Sequence, residues 1–339
     1  MKNANLTVTI DWLEFTVLNV QLPEVFDVMG LKFEDFNPLS KGRFGYRNQL
    51  KWADGNIFIM FNAVGKEQDK IDAQTKINPK SGAHVMITGQ GCRQYSVKHN
   101  LIELIKLLSA VKKTNFTRVD LAIDDYVSKI VDFTKIHEAA INGNFTSRWS
   151  KWDEINSRQT SSGEFLGRTM YFGSQASDLF CRIYDKKLER KANADEEIDT
   201  EWTRLEMVYR KDRATKLISY IINDKPIGEV LRGTLKQYLR FLIPSADQNK
   251  SRWPTVTWWD LLLSNVDKLS LTIEKEAKTI EDMTSWVDQQ IAPTMAAILK
   301  AHEGDLAWFR SILVKGSERL SQKHKDAISQ YKAKEVTPV

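Results

Sequence analysis

Cysteine is scarce in this chain: of 339 residues only Cys92 and Cys181 carry thiols, and their spacing makes no metal or redox pair. That excludes a disulfide scaffold and suits a reducing compartment. Long hydrophobic runs are missing too. The most apolar stretch, 101–111, is interrupted by Glu103 and Lys106 and is too short to span a bilayer. The opening residues carry no signal-peptide pattern, since they run straight into an alternating segment holding Asp11 and Glu14. The expectation is a cytoplasmic protein with no membrane association. No Gly-x-x-x-x-Gly-Lys-Ser/Thr loop occurs, which argues against a nucleotide hydrolase, and no Gly-x-Ser-x-Gly elbow occurs either. The five histidines (84, 99, 137, 302, 324) form no pair at metal-binding spacing, so any metal must be held by carboxylates.

What is present is ordinary in bulk. A hydrophobic content of 42% allows a sizeable core. Basic residues number 49 against 44 acidic, a net +5 that permits nucleic-acid binding without requiring it. Ten tryptophans could stack bases, although most tryptophans fill cores.

Periodicity gives the organisation. Residues 6–18 read as a strand, 23–29 as a short helix, and 43–52 and 56–63 as strands flanking an Asp-Gly hairpin signal. A polar stretch over 66–81 reads as a surface loop. A strand at 84–88 ends at Gly89-Gln90-Gly91, and a helix follows near 99–112. A second round runs from the Asp120/Asp124 strand through a helix at 133–141 and strands at 148–152, 167–173 and 179–187. It ends with the Glu206 strand and a helix at 211–222. Strand, helix and hairpin thus recur over 7–112 and 117–222, without the self-similarity that defines a repeat. The pattern fits an α+β fold, mainly antiparallel sheet with helices on one face. Residues 244–254, polar and bounded by Pro244 and Pro254, read as a linker to leucine- and lysine-rich helices. The expected division is 1–245 and a helical region over 246–339.

Three strands carry ionisable residues on alternate positions. In 118–124, Arg118, Asp120 and Asp124 oppose Val119, Leu121 and Ile123. In 181–187, Arg182, Tyr184 and Lys186 oppose Cys181 and Ile183. In 202–207, Arg204 and Glu206 oppose Leu205 and Met207. By periodicity alone these are amphipathic strands with solvated outer faces, and that plainer reading carries more weight. The chemical reading is a phosphodiester-cleaving site. Asp120 and Asp124 stand about 13 Å apart at strand rise, far for two ligands of one ion. Glu206 could join either, and an oxygen-only set suits Mg²⁺ or Mn²⁺. The acids could equally pair with Arg118, Arg182 or Arg204. A tyrosine nucleophile needs nearby cations or a base. Tyr184 has Arg182 and Lys186 on its own face; Tyr171 is the rival without that flank.

The run from Tyr171 to Lys191, with Arg182-Ile183-Tyr184-Asp185-Lys186-Lys187 at its heart, resembles the rolling-circle replication initiation factors of Gram-positive plasmids. Trp202-Thr203-Arg204-Leu205-Glu206 and the strand from Thr117 to Asp125 carry the same likeness. Ile10-Asp11-Trp12-Leu13-Glu14-Phe15 and Gly89-Gln90-Gly91-Cys92-Arg93 resemble the branch that includes relaxases of integrative conjugative elements. The resemblance spans about 7–245.

It implies a nicking–closing enzyme that starts rolling-circle replication or conjugative transfer. Tyr184 would be the nucleophile, forming a 5′-phosphotyrosine link, with Arg182, Lys186 and Arg204 at the scissile phosphate. Asp120, Asp124 and Glu206 would hold Mg²⁺ or Mn²⁺, and Lys187, Arg190, Lys191 and Arg118 would contact DNA. The partners implied are double-stranded origin DNA with a single-stranded nick site, a second copy of the chain and a host helicase. The C-terminal helices would serve origin binding, dimerisation or partner contact. Two rivals stand beside it: a non-catalytic origin-binding protein, and a metal-dependent nuclease in which water attacks.

Overall fold

The structure, a computed structural model, describes residues 6–53, 55–65, 71–111, 113–194, 200–263 and 279–335. The chain divides into two compact units, Met1–Ile273 and Glu274–Val339.

The first half of unit one runs β1 (Leu6–Val17), α1 (Leu22–Met29), β2 (Phe36–Leu39), β3 (Asn48–Trp52), β4 (Ile57–Phe61), β5 (Ala83–Ile87), α2 (Gly89–Tyr95) and α3 (Leu101–Ala110). The second half runs β6 (Thr114–Asp125), α4 (Phe133–Ile141), β7 (Phe145–Ser147), β8 (Trp152–Arg158), β9 (Phe165–Phe172), β10 (Leu179–Asp185), α5 (Lys186–Ala194), β11 (Thr203–Arg210) and α6 (Asp212–Ile222). Helix α7 (Ile227–Tyr238), strand β12 (Leu239–Phe241) and helix α8 (Thr257–Leu263) follow. Local sequence sets the helix limits. Gln21 and Glu24 form a capping box at the start of α1, and Gly30, left-handed at φ 64°, ends it. The Asn100 side chain accepts from the amides of Ile102 and Glu103 to open α3.

Ten strands form one antiparallel sheet in the order β2-β3-β4-β5-β1-β6-β11-β10-β9-β8. The long strands β1 and β6 pair at its centre, and each half builds outward from its own long strand. Period-two alternation then decides the layers. Leu13, Phe15 and Val17 of β1, Val119, Leu121 and Ile123 of β6, and Leu205, Met207 and Tyr209 of β11 turn to one side. There they bury against Leu22 and Met29 of α1, Leu104 and Ile105 of α3, Ile136 of α4, Leu217 of α6 and Leu231 of α7. Removing that much apolar surface from water is the main term holding the unit together. The opposite side of the sheet carries the polar residues. A separate two-stranded ribbon pairs β12 with β7.

Two differences from the sequence reading have plain causes. The strand expected over 43–52 begins only at Asn48. A Cβ on Gly42 would fall 1.9 Å from the Tyr46 carbonyl oxygen, and Phe44 and Gly45 sit at φ 54° and 83°, so the preceding residues form a loop. The first unit also continues past the Pro244–Pro254 segment. Trp259 is fully buried in its core and donates from Nε1 to the Leu239 carbonyl at 3.1 Å, while the Ile243 amide bonds the Pro254 carbonyl at 2.8 Å. Asp54, at the expected hairpin tip, lies outside the described residues, although β3 and β4 do pair antiparallel.

The second unit contains α9 (Ile280–Trp286), α10 (Ala292–Ala301), α11 (Ala307–Ser317) and α12 (Gln322–Glu335). Its helices leave Trp286, Leu306, Leu313 and Val314 exposed. No helix among the described residues is long and apolar enough to cross a membrane.

Candidate active site

Register aligns the polar residues of β6, β11 and β10 into cross-strand rows. Tyr184 faces Arg204, which faces Asp124; Arg182 faces Glu206, which faces Ala122. Directly opposed and diagonal side chains are close neighbours, so the two rows interlock. The Tyr184 hydroxyl donates to Glu206 Oε1, and Arg182 donates from Nε to Glu206 Oε2 in a second short bond. Lys186 Nζ lies 3.4 Å from the Tyr184 oxygen and 2.6 Å from Glu189 Oε2. Lys186 is the first residue of α5 and no longer in the strand, yet its amine still reaches the tyrosine.

Arg204 occupies the middle of the arrangement. Its Nε and Nη2 hold the two Asp124 oxygens at 2.6 and 2.7 Å, and Nη1 holds Asp11 Oδ1 at 2.6 Å and approaches Glu206 Oε1 to 3.9 Å. Trp202 Nε1 adds a bond to Asp124 at 2.6 Å. At 2% exposure this guanidinium is turned inward, so Arg204 orders carboxylates and is not placed to meet a phosphate. Asp120 stands apart, held by Arg118 through bonds of 2.9 and 2.6 Å, and the Arg118 guanidinium stacks 4.3 Å from the Trp12 ring.

Sequence reasoning missed Asp11, and the reason is geometric. Strict alternation gives Asp11 the parity of core residue Leu13. A bulge between Ile10 and Trp12 breaks the register and turns Asp11 and Trp12 together to the polar side. The signal was an aspartate and a tryptophan between two core residues, where period two allows one. Gly89 then lies against Asp11, where a Cβ would come within 3.0 Å of Oδ2.

Burial governs the protonation states. The phenol of Tyr184 is pushed well above its usual range by desolvation and by the charge of Glu206. Burial also opposes the Glu206 charge, but Arg182, Arg204, the Tyr184 hydroxyl and Lys186 together hold that carboxyl below its usual range. Lys186 is lowered by burial and by Arg204. Burial and Glu206 push Asp11 up to about 6, and burial pushes Asp120 up to about 6. At neutral pH the site therefore holds a protonated tyrosine in contact with an ionised base.

A groove of about 790 Å³ opens onto this tyrosine. Its walls include Trp12, Arg93, Arg168, Arg182, Lys186 and Arg190, with Tyr171 beside them. Of the remaining basic residues expected to meet DNA, Lys187 pairs with Glu201 at 3.1 Å and Lys191 is exposed on α5.

The carboxylates expected to hold a metal do not come together as a donor set. Asp120 is bound by Arg118, Asp124 by Arg204, and Glu206 by Arg182 and Tyr184. Among the described residues no group of three His, Cys, Asp or Glu is arranged to hold an ion. The acids that do converge, Asp11, Asp124 and Glu206, converge on a guanidinium. As folded, these residues do not fit a divalent cation.

The open antiparallel sheet with helices packed on one face is the fold of a rolling-circle replication initiator. A structure of the rolling circle replication initiator protein from Geobacillus stearothermophilus matches with a TM-score of 0.65 and 29% identity, over 79% of this chain and 100% of that one. The chain belongs to the replication initiation factor family, which it matches over residues 114–315. Residues 7–108 match the N-terminal domain of rolling circle replication initiation proteins. It is also similar to a protein of Bacillus subtilis (strain 168) that carries the name DNA relaxase NicK, with 29% identity over 74% of this chain and 73% of the relative. A replication initiation protein of Staphylococcus aureus is 28% identical over 46% of this chain and 42% of its own length.

Proposed function

We propose that the protein is a site-specific DNA nicking–closing enzyme that starts rolling-circle replication or conjugative transfer by attack of Tyr184 on one origin strand. The observation that supports this most directly is the bond from the Tyr184 hydroxyl to the ionised Glu206, at the floor of a basic groove.

A free phenolate would be scarce here, because burial raises the phenol's pKa. A base already in contact removes that need, since Glu206 can take the proton as the new bond forms. The Tyr184 oxygen bonds to phosphorus and its proton passes to Glu206. The bond from phosphorus to the 3′ oxygen breaks, leaving a 5′-phosphotyrosine and a free 3′-OH. In this reading Lys186, whose ammonium lies 3.4 Å from the attacking oxygen and is easier to deprotonate than usual, supplies the leaving oxygen's proton. Arg182 and Lys186 offset charge that builds on the phosphate. Asp11, Asp124 and Arg204 act behind them as positioning residues. The reverse reaction reseals the strand with no nucleotide triphosphate, because the ester energy is kept in the tyrosyl link.

Origin duplex and the single-stranded nick site are the substrates of this reading. Arg118, Lys187, Arg190 and Lys191 serve as phosphate contacts around the groove, and the helical second unit serves origin choice, self-association or contact with a host helicase. Mg²⁺ or Mn²⁺ belongs to the reading as the ion that the family resemblance implies, and no step above passes through it. The test is incubation of the full chain with supercoiled origin plasmid and each ion in turn. Nicking with a covalent 5′ adduct, lost in Tyr184→Phe, supports the proposal. Binding without nicking points to an origin-binding protein, and nicking that survives Tyr184→Phe but not Glu206→Gln points to attack by water.

A further inference from the structure

We infer that the loop between β2 and β3 is a single-strand clamp, in which Phe44 stacks a base of the strand leaving the nick and the flanking cations hold its phosphates. The inference rests on the DNA-nicking reading and extends it to the other half of the sheet. The loop reads Lys41-Gly42-Arg43-Phe44-Gly45-Tyr46-Arg47, three cations and two aromatics around two glycines, the combination of basic and stacking side chains that sequence-tolerant strand binders use.

Its shape is built. The Tyr46 amide closes a turn on the Arg43 carbonyl at 2.9 Å, and the Tyr46 hydroxyl donates to the Ser81 carbonyl at 3.1 Å. The Arg47 amide bonds Asn62 Oδ1 at 3.0 Å. Tyr46 stacks on His84, with ring centres 6.1 Å apart and planes 15° from parallel. At the tip the usual rule is inverted. Phe44 is 66% exposed and adopts φ 54°, a left-handed conformation that costs free energy for a bulky residue. An anchored loop that spends strain to hold a phenyl ring in water presents that ring to something.

Its position says to what. His84, against which the Phe44 ring rests edge-on at 5.5 Å, bonds Thr16 on the polar side of the sheet, the side that carries Tyr184. Strands β1, β6 and β11 separate β5 from β10, roughly 19 Å across the sheet, and His84 pairs with Thr16 whereas the Tyr184 row ends on Thr7, roughly 30 Å further along β1, so the loop and the tyrosine stand roughly 35 Å apart on a diagonal. Trp12, under the Arg118 guanidinium, lies between them and lines the groove. Trp12 sits about midway along β1 between those two ends, so a strand anchored at Tyr184 and crossing Trp12 runs toward Phe44.

The test is fluorescence anisotropy with labelled A/T oligonucleotides, one long enough to cross the sheet and one covering only the groove. Binding is read in the Tyr184→Phe background, so it does not depend on cleavage. Phe44→Leu is expected to weaken the long oligonucleotide by about tenfold and leave the short one unchanged, while Phe44→Tyr binds like Phe44. Arg43→Gln is expected to lower the salt slope by about 0.7. Equal binding of the long oligonucleotide by Phe44 and Phe44→Leu, at matched melting temperature, overturns the clamp and leaves the nicking reading standing. Loss on Phe44→Leu in a chain that, with Tyr184 intact, never nicks origin plasmid upholds the clamp and removes the nicking reading.

Discussion

The two halves of the sheet place very different residues at matching positions. Counting outward from the central pair, Tyr184 facing Arg204 facing Asp124 corresponds to Met60 facing His84 facing Thr16. One row along, Arg182 facing Glu206 corresponds to Phe58 facing Met86. The first half packs these positions as a small apolar cluster of Phe58, Met60 and Met86 under Trp12 and Tyr46. The second half fills them with a buried network of charges. The backbone framework is shared, so the chemistry comes from the side chains laid on it. The apolar cluster of the first half carries no comparable desolvation cost, and that half presents the DNA-binding loop. The half with them carries a desolvation cost that only complete pairing offsets.

Substitutions at the matched positions test that contrast. The largest effect is on catalysis. Tyr184→Phe is expected to lower the nicking rate by at least roughly a thousandfold, with a change in stability near 1 kcal/mol, measured by plasmid nicking and urea melts. The matching Met60→Tyr is expected to produce no adduct in a Tyr184→Phe background, because Met86 stands where Glu206 does, and overpacking should cost about 1–3 kcal/mol.

Next comes stability. Glu206→Gln leaves Arg182 and Arg204 short of a buried partner and is expected to cost about 3–5 kcal/mol. Met86→Leu at the matching position is expected to cost less than about 1.5 kcal/mol. Equal losses in urea midpoints would show that the charges of the second half are not what holds it.

The smallest effect is in the pH dependence. Asp11 and Asp120 have folded pKa values raised to about 6 from 3.8, so the folded form binds more protons there. The stability they contribute is fully present below about pH 4 and is lost as pH rises through about 6. Glu206 runs the other way: its lowered pKa gives stability above its unfolded range, lost as pH falls through the folded value. Asp120→Asn is expected to flatten the decline between about pH 4 and 6 in chemical melts read at each pH. An unchanged slope would mean that Asp120 stays fully ionised beside Arg118.

Much of the fold was legible because period two survives in β6, β10 and β11: Arg118, Asp120, Asp124, Arg182, Tyr184, Arg204 and Glu206 all lie on the polar side as alternation requires. What alternation could not give was partners. It put Asp120, Asp124 and Glu206 on one face but could not show that each would be taken up by an arginine. It hid Asp11, because one bulge shifts parity. It extended a strand back to Arg43, because a Gly-Arg-Phe-Gly loop also alternates in hydrophobicity. The linker reading of 244–254 failed to see Trp259, whose burial depends on a pocket built by distant parts of the chain.

The central claim is that Tyr184, and no other residue, takes the DNA strand. Covalent adducts formed by the full chain on a labelled origin fragment can be digested and the modified peptide mapped by mass spectrometry. The expected result is a nucleotide on the peptide containing Arg182-Ile183-Tyr184-Asp185. A nucleotide on Tyr171, which lines the same groove, or cleavage that leaves no tyrosyl adduct, would contradict it.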